Sequence, residues 1–232
     1  MHSSLDLVRD MPEEMEELIW NNIKKAGNYL DYQLWETLAC FLAVAKEGLR
    51  EADLEGLWEI EKEKQPNRAN WQTVDFVRFR YYLDTFFRCR SNGCWTFSHD
   101  KIKESVQIKQ QNKLRDYQES ILEYVKRMKM NKEYSSNNIK NNDLVLIIEG
   151  LWASQELKDY DFARTILEDA ADDGNLQVYT QVMVTLHDII GSVAGLKWYR
   201  TLSDKYPATI EKILEKGLKH HGVVDYERRY PA

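Results

Sequence analysis

Residues 36–59, ETLACFLAVAKEGLREADLEGLWE, and 89–106, CRSNGCWTFSHDKIKESV, decide how this chain folds. Running into the first from just before it, Leu34, Trp35, Leu38, Phe41, Leu42 and Ala45 recur at helical spacing until Gly48 stops the run. A further helix over roughly 51–61 then buries Leu54, Leu57 and Trp58 and keeps its carboxylates outside. In the second stretch, Ser91-Asn92-Gly93 supplies a tight turn, because Asn and Gly tolerate positive φ. Its flanks, 88–90 and 94–97, are short enough to be two strands of a hairpin, and Trp95 is expected to be buried against the first helices. Ser98 is placed to cap the helix that follows.

Working outward, Asp10 and Glu13 have capping-box spacing, with Pro12 in the first turn, and Gly27 ends the helix they open. Asp31 is set to cap the next. The polar run 61–70, EKEKQPNRAN, predicts a loop, and 71–87 predicts an unusually aromatic helix. From Ser98 the pattern stays helical to Met128, either continuously or with a break near Gln110. Asn- and Ser-rich 131–143 predicts a loop. Helices follow from Asp143, over 161–171 and over 176–190, and two shorter ones divide at Tyr206-Pro207. The phrase ELKDYDFARTILEDAADDGN has the helix-turn-helix character of a tetratricopeptide-like array. These signals predict a mainly α fold in two parts, 1–108 with the one short β-hairpin and 109–232 all-helical.

Composition narrows the functional classes. With 232 residues, 43% hydrophobic, the chain can bury one large core or two smaller ones. A formal charge of -6 offers no general attraction to nucleic acid or anionic lipid. The longest apolar run, 38–45, is far too short to span a bilayer. The acidic start lacks the order of a signal peptide, and three cysteines fit a reducing cytoplasm better than a disulfide framework, so a cytoplasmic location is expected.

Catalytic motifs are missing. There is no GxxxxGK[ST] loop to cradle phosphates, no GxSxG elbow and no HExxH helix. Ser98-His99-Asp100 is contiguous, whereas a catalytic triad converges from distant positions. The chain is therefore expected to be no enzyme and to need no cofactor. Cys89, Cys94 and His99, with Cys40, have the residue types of zinc ligands but not the two tight pairs of a structural site, so no metal is expected. Arg78, Arg80, Arg88 and Arg90 could face DNA, but Glu51, Asp53, Glu55, Glu59, Glu61 and Glu63 on the neighbouring helix would repel phosphate.

The order helix, helix, helix, hairpin, helix between Asp31 and Val106 is a winged-helix pattern, and Trp95-Thr96-Phe97 leading into Ser98-His99-Asp100 sharpens it. Over about residues 12–108 the chain resembles the winged-helix module that follows the nucleotide-binding core in STAND-class NTPases, the NACHT and NB-ARC groups. The resemblance implies a regulatory segment that packs on a nucleotide core, with His99 reaching an ADP phosphate when that core is present. The implied partner is a protein, including a nucleotide-binding domain of the same parent chain. Arg50 departs from the family, which often has Ser or Thr capping the third helix. A winged-helix nucleic-acid binder and a free-standing helical scaffold are the alternatives.

Overall fold

In a computed structural model of the protein, residues 11–27, 32–130, 141–172 and 174–220 are described. The predicted caps at Asp10 and Asp31 and residues 131–140 of the predicted loop over 131–143 lie outside them, and the last three residues of that loop, 141–143, are helical instead. Among the described residues the chain is mainly helical, with eleven helices and one two-stranded antiparallel hairpin. It divides into two compact units, 1–124 and 125–232. No helix among the described residues is long and apolar enough to cross a membrane.

The first unit is built around α2 (Tyr32–Val44), whose residues from Leu34 to Ala45 are all buried. A helix this apolar on every side must be enclosed by other elements. It is covered by α1 (Met11–Gly27), α3 (Glu51–Lys64), the strand β2 (Trp95–Phe97) and α5 (Asp100–Lys109). The end of α2 leaves carbonyls without helical partners, and α5 supplies donors to them. Lys103 Nζ donates to Ala45 O at 2.6 Å and Gln107 Nε2 to Ala43 O at 2.8 Å. Helix α6 (Leu114–Met130) brings the Tyr117 ring edge-on to Phe41, centroids 5.0 Å apart.

Between α2 and α3, Gly48 takes φ +94 and turns the chain beneath the hairpin. Leu49 then bridges Trp95, donating to its carbonyl at 3.1 Å and accepting from its N–H at 2.8 Å. Arg50 caps α3 in an unexpected way. Its backbone N–H and its Nε both donate to Asp53 Oδ2, at 3.0 and 2.7 Å, while a second guanidinium nitrogen donates to Oδ1 at 2.7 Å. That hydrogen bonding holds the guanidinium pKa above its ordinary value.

The predicted loop after α3 is shorter than expected, because α3 runs to Lys64. One residue of that polar run turns inward. Arg68 is buried, donates to Thr37 Oγ1 at 2.8 Å, lies 3.6 Å from the Glu61 carboxylate and stacks 5.1 Å over the Trp58 ring. Glu61 is also buried and accepts from Ser120 at 2.5 Å and from Lys64 at 3.1 Å. This network ties the loop to three helices.

The aromatic helix is also shorter than predicted. Helix α4 covers Thr73–Tyr82 and ends at Leu83, so Phe86 and Phe87 leave it, and Phe87 opens strand β1 (Phe87–Cys89). The residue positioned as a cap at Ser98 is displaced by one. His99 is the N-cap of α5, while the Ser98 hydroxyl donates to Thr85 O at 2.8 Å. The helix from there breaks, as one alternative had it, with α5 ending before Gln110 and α6 beginning at Leu114.

The second unit contains α7 (Asn141–Leu157), α8 (Tyr160–Asp172), α9 (Leu176–Ile190), α10 (Val193–Lys205) and α11 (Pro207–His220). Helix α7 packs on α8 and α9, and α11 returns to α8. Lys158 has φ 59, and its N–H and that of Asp159 bond back to Gln155 and Ser154, a Schellman closure without the usual glycine. Asp159 then caps α8 by accepting from Phe162 N–H at 3.0 Å. At the α9–α10 corner, a Cβ on Gly195 would lie 1.8 Å from Ile189 O, so only glycine fits that approach.

Candidate functional site

The hairpin and α4 together form the most distinctive surface of the first unit. Phe76 and Phe79 are buried on one side of α4 at i,i+3 spacing. Phe79 packs on Phe87 at 4.9 Å, and Phe87 on Phe97 at 4.7 Å, which fixes the helix against the sheet. The opposite side leaves Val74, Val77 and Tyr81 exposed, Tyr81 by 75%. That apolar stripe faces outward on a helix whose other side is saturated by the core.

Trp95, expected to be buried against the first helices, is half-buried. Its ring meets Phe76 edge-on at 5.8 Å, and the Arg80 guanidinium lies over it at 5.0 Å. Along the strand Cys94 and Thr96 share one face, which is buried, and Trp95 and Phe97 share the other. On that second face the Phe87 ring covers Phe97, whereas Trp95 lies beside Phe76 and Arg80 at the margin between α4 and the sheet. A groove of about 450 Å³ opens there, with Val77, Arg80 and Tyr81 on its helical wall and Phe87, Arg88 and Trp95 on the other.

The arginines suggested for DNA are largely committed elsewhere. Arg78 pairs with Asp75 at 3.4 Å and Arg90 with Glu47 at 2.7 Å. Arg80 rests on Trp95. Arg88, exposed on β1, has neither an ion pair nor a ring partner among the described residues.

His99 stands exposed at the start of α5, with φ -145 and ψ 141, and its side chain makes no capping hydrogen bond. Its carbonyl accepts from Ile102 N–H at 3.1 Å, so the main chain opens the helix and leaves the imidazole unspent. Asp100 occupies the first turn, where a carboxylate is favourable.

The thiols and His99 do not converge. Cys40 and Cys94 are buried, whereas Cys89 and His99 are exposed, and no group of three or more His, Cys, Asp or Glu among the described residues is placed to hold a metal. Burial, with the Glu36 carboxylate nearby, pushes the Cys40 thiol up to about 12.

Compared with known protein families, with curated proteins and with solved structures, the chain finds no match. The groove was not legible in the sequence as a site. Its one signal was a helix apolar on two sides, which the aromatic count of 71–87 contained but did not resolve into faces.

Proposed function

We propose that the chain is a non-catalytic regulatory and interaction module of the STAND type, acting in the cytoplasm. On this reading the first unit is a winged helix that packs on a nucleotide-binding core in the resting state. The second, with its tetratricopeptide-like helix pairs, receives a protein partner. The winged-helix reading is supported by the element order α2, Leu49 bridge, α3, α4, β1, β2, α5. In that order Leu49 extends the hairpin on the free side of β2.

One observation carries the functional reading. His99 sits at a helix start, exposed, with an imidazole that no capping interaction consumes. An imidazole N–H there is a donor beside the positive end of the α5 dipole, suited to a phosphate oxygen supplied by a neighbouring core. Nucleic acid is disfavoured as the partner, because Asp75 and Glu47 already neutralise Arg78 and Arg90.

Two measurements test the proposal. Calorimetric titration of the chain with Mg-ATP is expected to give no saturable heat, and a saturable heat would overturn the non-catalytic reading. In a parent carrying the NTPase core, loss of one charge-assisted hydrogen bond removes roughly 1.5–3 kcal/mol. His99→Ala should therefore release ADP about tenfold faster or more. Unchanged release would leave His99 as a helix-start residue only.

A further inference from the structure

The hairpin has one edge closed and one edge open. Leu49 bridges β2 on its far side, so that edge is partly occupied. On β1 the register pairs Phe87 with Phe97, Arg88 with Thr96 and Cys89 with Trp95. The flanking bonds, Arg90 N–H to Cys94 O and Ser98 N–H to Phe86 O, both 2.8 Å, fix which residues face inward. In an antiparallel ladder the bonded pairs alternate, so Arg88 turns its main chain toward β2, and Phe87 and Cys89 turn theirs away. The Phe87 N–H is already spent on Leu83 O at 3.1 Å. What remains on the edge is the Phe87 carbonyl and both main-chain groups of Cys89, an exposed residue.

Unpaired edge groups are a template for another strand. They lie beside the groove described above, whose apolar walls are Val77, Tyr81 and Trp95. Its charge is set by Arg80 and the unpaired Arg88 against the one carboxylate of Asp84. The local balance is thus positive in a chain of formal charge -6.

We propose that the open edge of β1 and this groove bind an extended acidic peptide segment as an added strand. Main-chain bonds to Phe87 and Cys89 would supply affinity, and side chains at alternate positions specificity, as in strand-addition recognition generally. An apolar side chain enters beside Trp95 and Tyr81, and a carboxylate on the segment answers Arg88. A polyphosphate backbone fits less well, since it offers nothing to the carbonyl acceptors on the edge and meets Asp84 in the groove. The proposal rests on the interaction reading given above but not on the role of His99.

The test is selection of a random peptide library displayed on phage against the immobilised protein, followed by fluorescence anisotropy with the enriched peptide made synthetically. Enriched sequences are expected to alternate apolar positions and to carry Asp or Glu. Arg88→Glu should weaken the synthetic peptide at least tenfold. Cys89→Pro, which removes the edge N–H while leaving the β1–β2 bonds intact, should abolish binding. Circular dichroism checks both variants, and if the proline variant unfolds, the exposed Arg88→Glu decides alone. No enrichment, a basic or helix-period consensus, or binding indifferent to Arg88→Glu would each overturn the site. His99→Ala should leave peptide affinity unchanged, so this site and the nucleotide role fail separately.

Discussion

Gly48 lies directly beneath the carbonyl of Trp95, so close that a Cβ on Gly48 would sit 2.3 Å from that oxygen. The same glycine holds φ +94, where side-chain-bearing residues are strained. The close approach lets Leu49 pair with Trp95, so one glycine links the end of α2 to the strand that lines the groove. Gly48→Ala should cost at least about 2 kcal/mol, from backbone strain and the displaced carbonyl together. Urea unfolding followed by circular dichroism measures it. A midpoint equal to that of the unaltered protein would mean that Leu49 does not depend on this turn.

Arg68 provides the second prediction. Its guanidinium lies between Thr37, the Glu61 carboxylate and the Trp58 ring, and both Arg68 and Glu61 are buried. Removing one partner of a buried ion pair strands the other, at a cost of about 3–5 kcal/mol. Lys64 and Ser120 still serve Glu61, so Arg68→Met should cost about 3 kcal/mol, the lower end of that range. The double variant Arg68→Met with Glu61→Gln should recover part of the loss. If the single change proved neutral in urea unfolding, the loop would not be anchored through this arginine.

Asp159 gives a prediction in pH. Burial opposes its ionised form, but the hydrogen bonds from Lys126, at 2.6 Å, and from the Phe162 N–H outweigh it and hold the pKa below the ordinary carboxylate value. A folded pKa below the unfolded one contributes stability that is complete above the unfolded value, about 3.9. That contribution disappears as pH falls through the lower folded value. Asp159→Asn keeps a cap acceptor and removes the charge. It should cost about 0.5–1 kcal/mol at pH 7, and the gap should narrow as the pH falls below the unfolded value and through the folded one. A gap that stays constant over that range would assign the cost to packing instead.

How much of this was legible in advance depends on the kind of signal. Helix existence was plain wherever an apolar stripe kept its period, as at Leu34 to Ala45, and Asn92-Gly93 announced the hairpin turn. Helix ends were harder. Phe86 and Phe87 continue the aromatic composition of α4, yet the chain leaves the helix at Leu83 so that Phe87 can pack between Phe79 and Phe97. Tertiary packing overrode local pattern there. Ser98 has the better capping side chain, but its hydroxyl is drawn to Thr85 O, and the cap position falls to His99.

The buried network around Arg68 was hidden because its loop, EKEKQPNRAN, has the composition of a solvated one. The clue lay on the helices, in polar residues at apolar-face positions. Thr37 interrupts the stripe of α2, and Ser120 sits beside Ile121 on α6. A buried polar group needs a partner, but the sequence does not say that the partner comes from a loop. The groove was hidden for a related reason: which aromatic faces outward depends on how α4 rolls onto the hairpin.

The three cysteines have a practical consequence. Cys89 is open to solvent, whereas Cys40 and Cys94 are sealed in the first unit, and the Cys40 thiol, at about 12, carries almost no thiolate at neutral pH. A thiol-selective label should therefore modify one position at once and the other two only as often as the unit opens. The slow phase is a built-in clock for that opening, readable by mass in the unaltered protein without any engineered probe. Occupancy of the hairpin edge by a peptide would slow it.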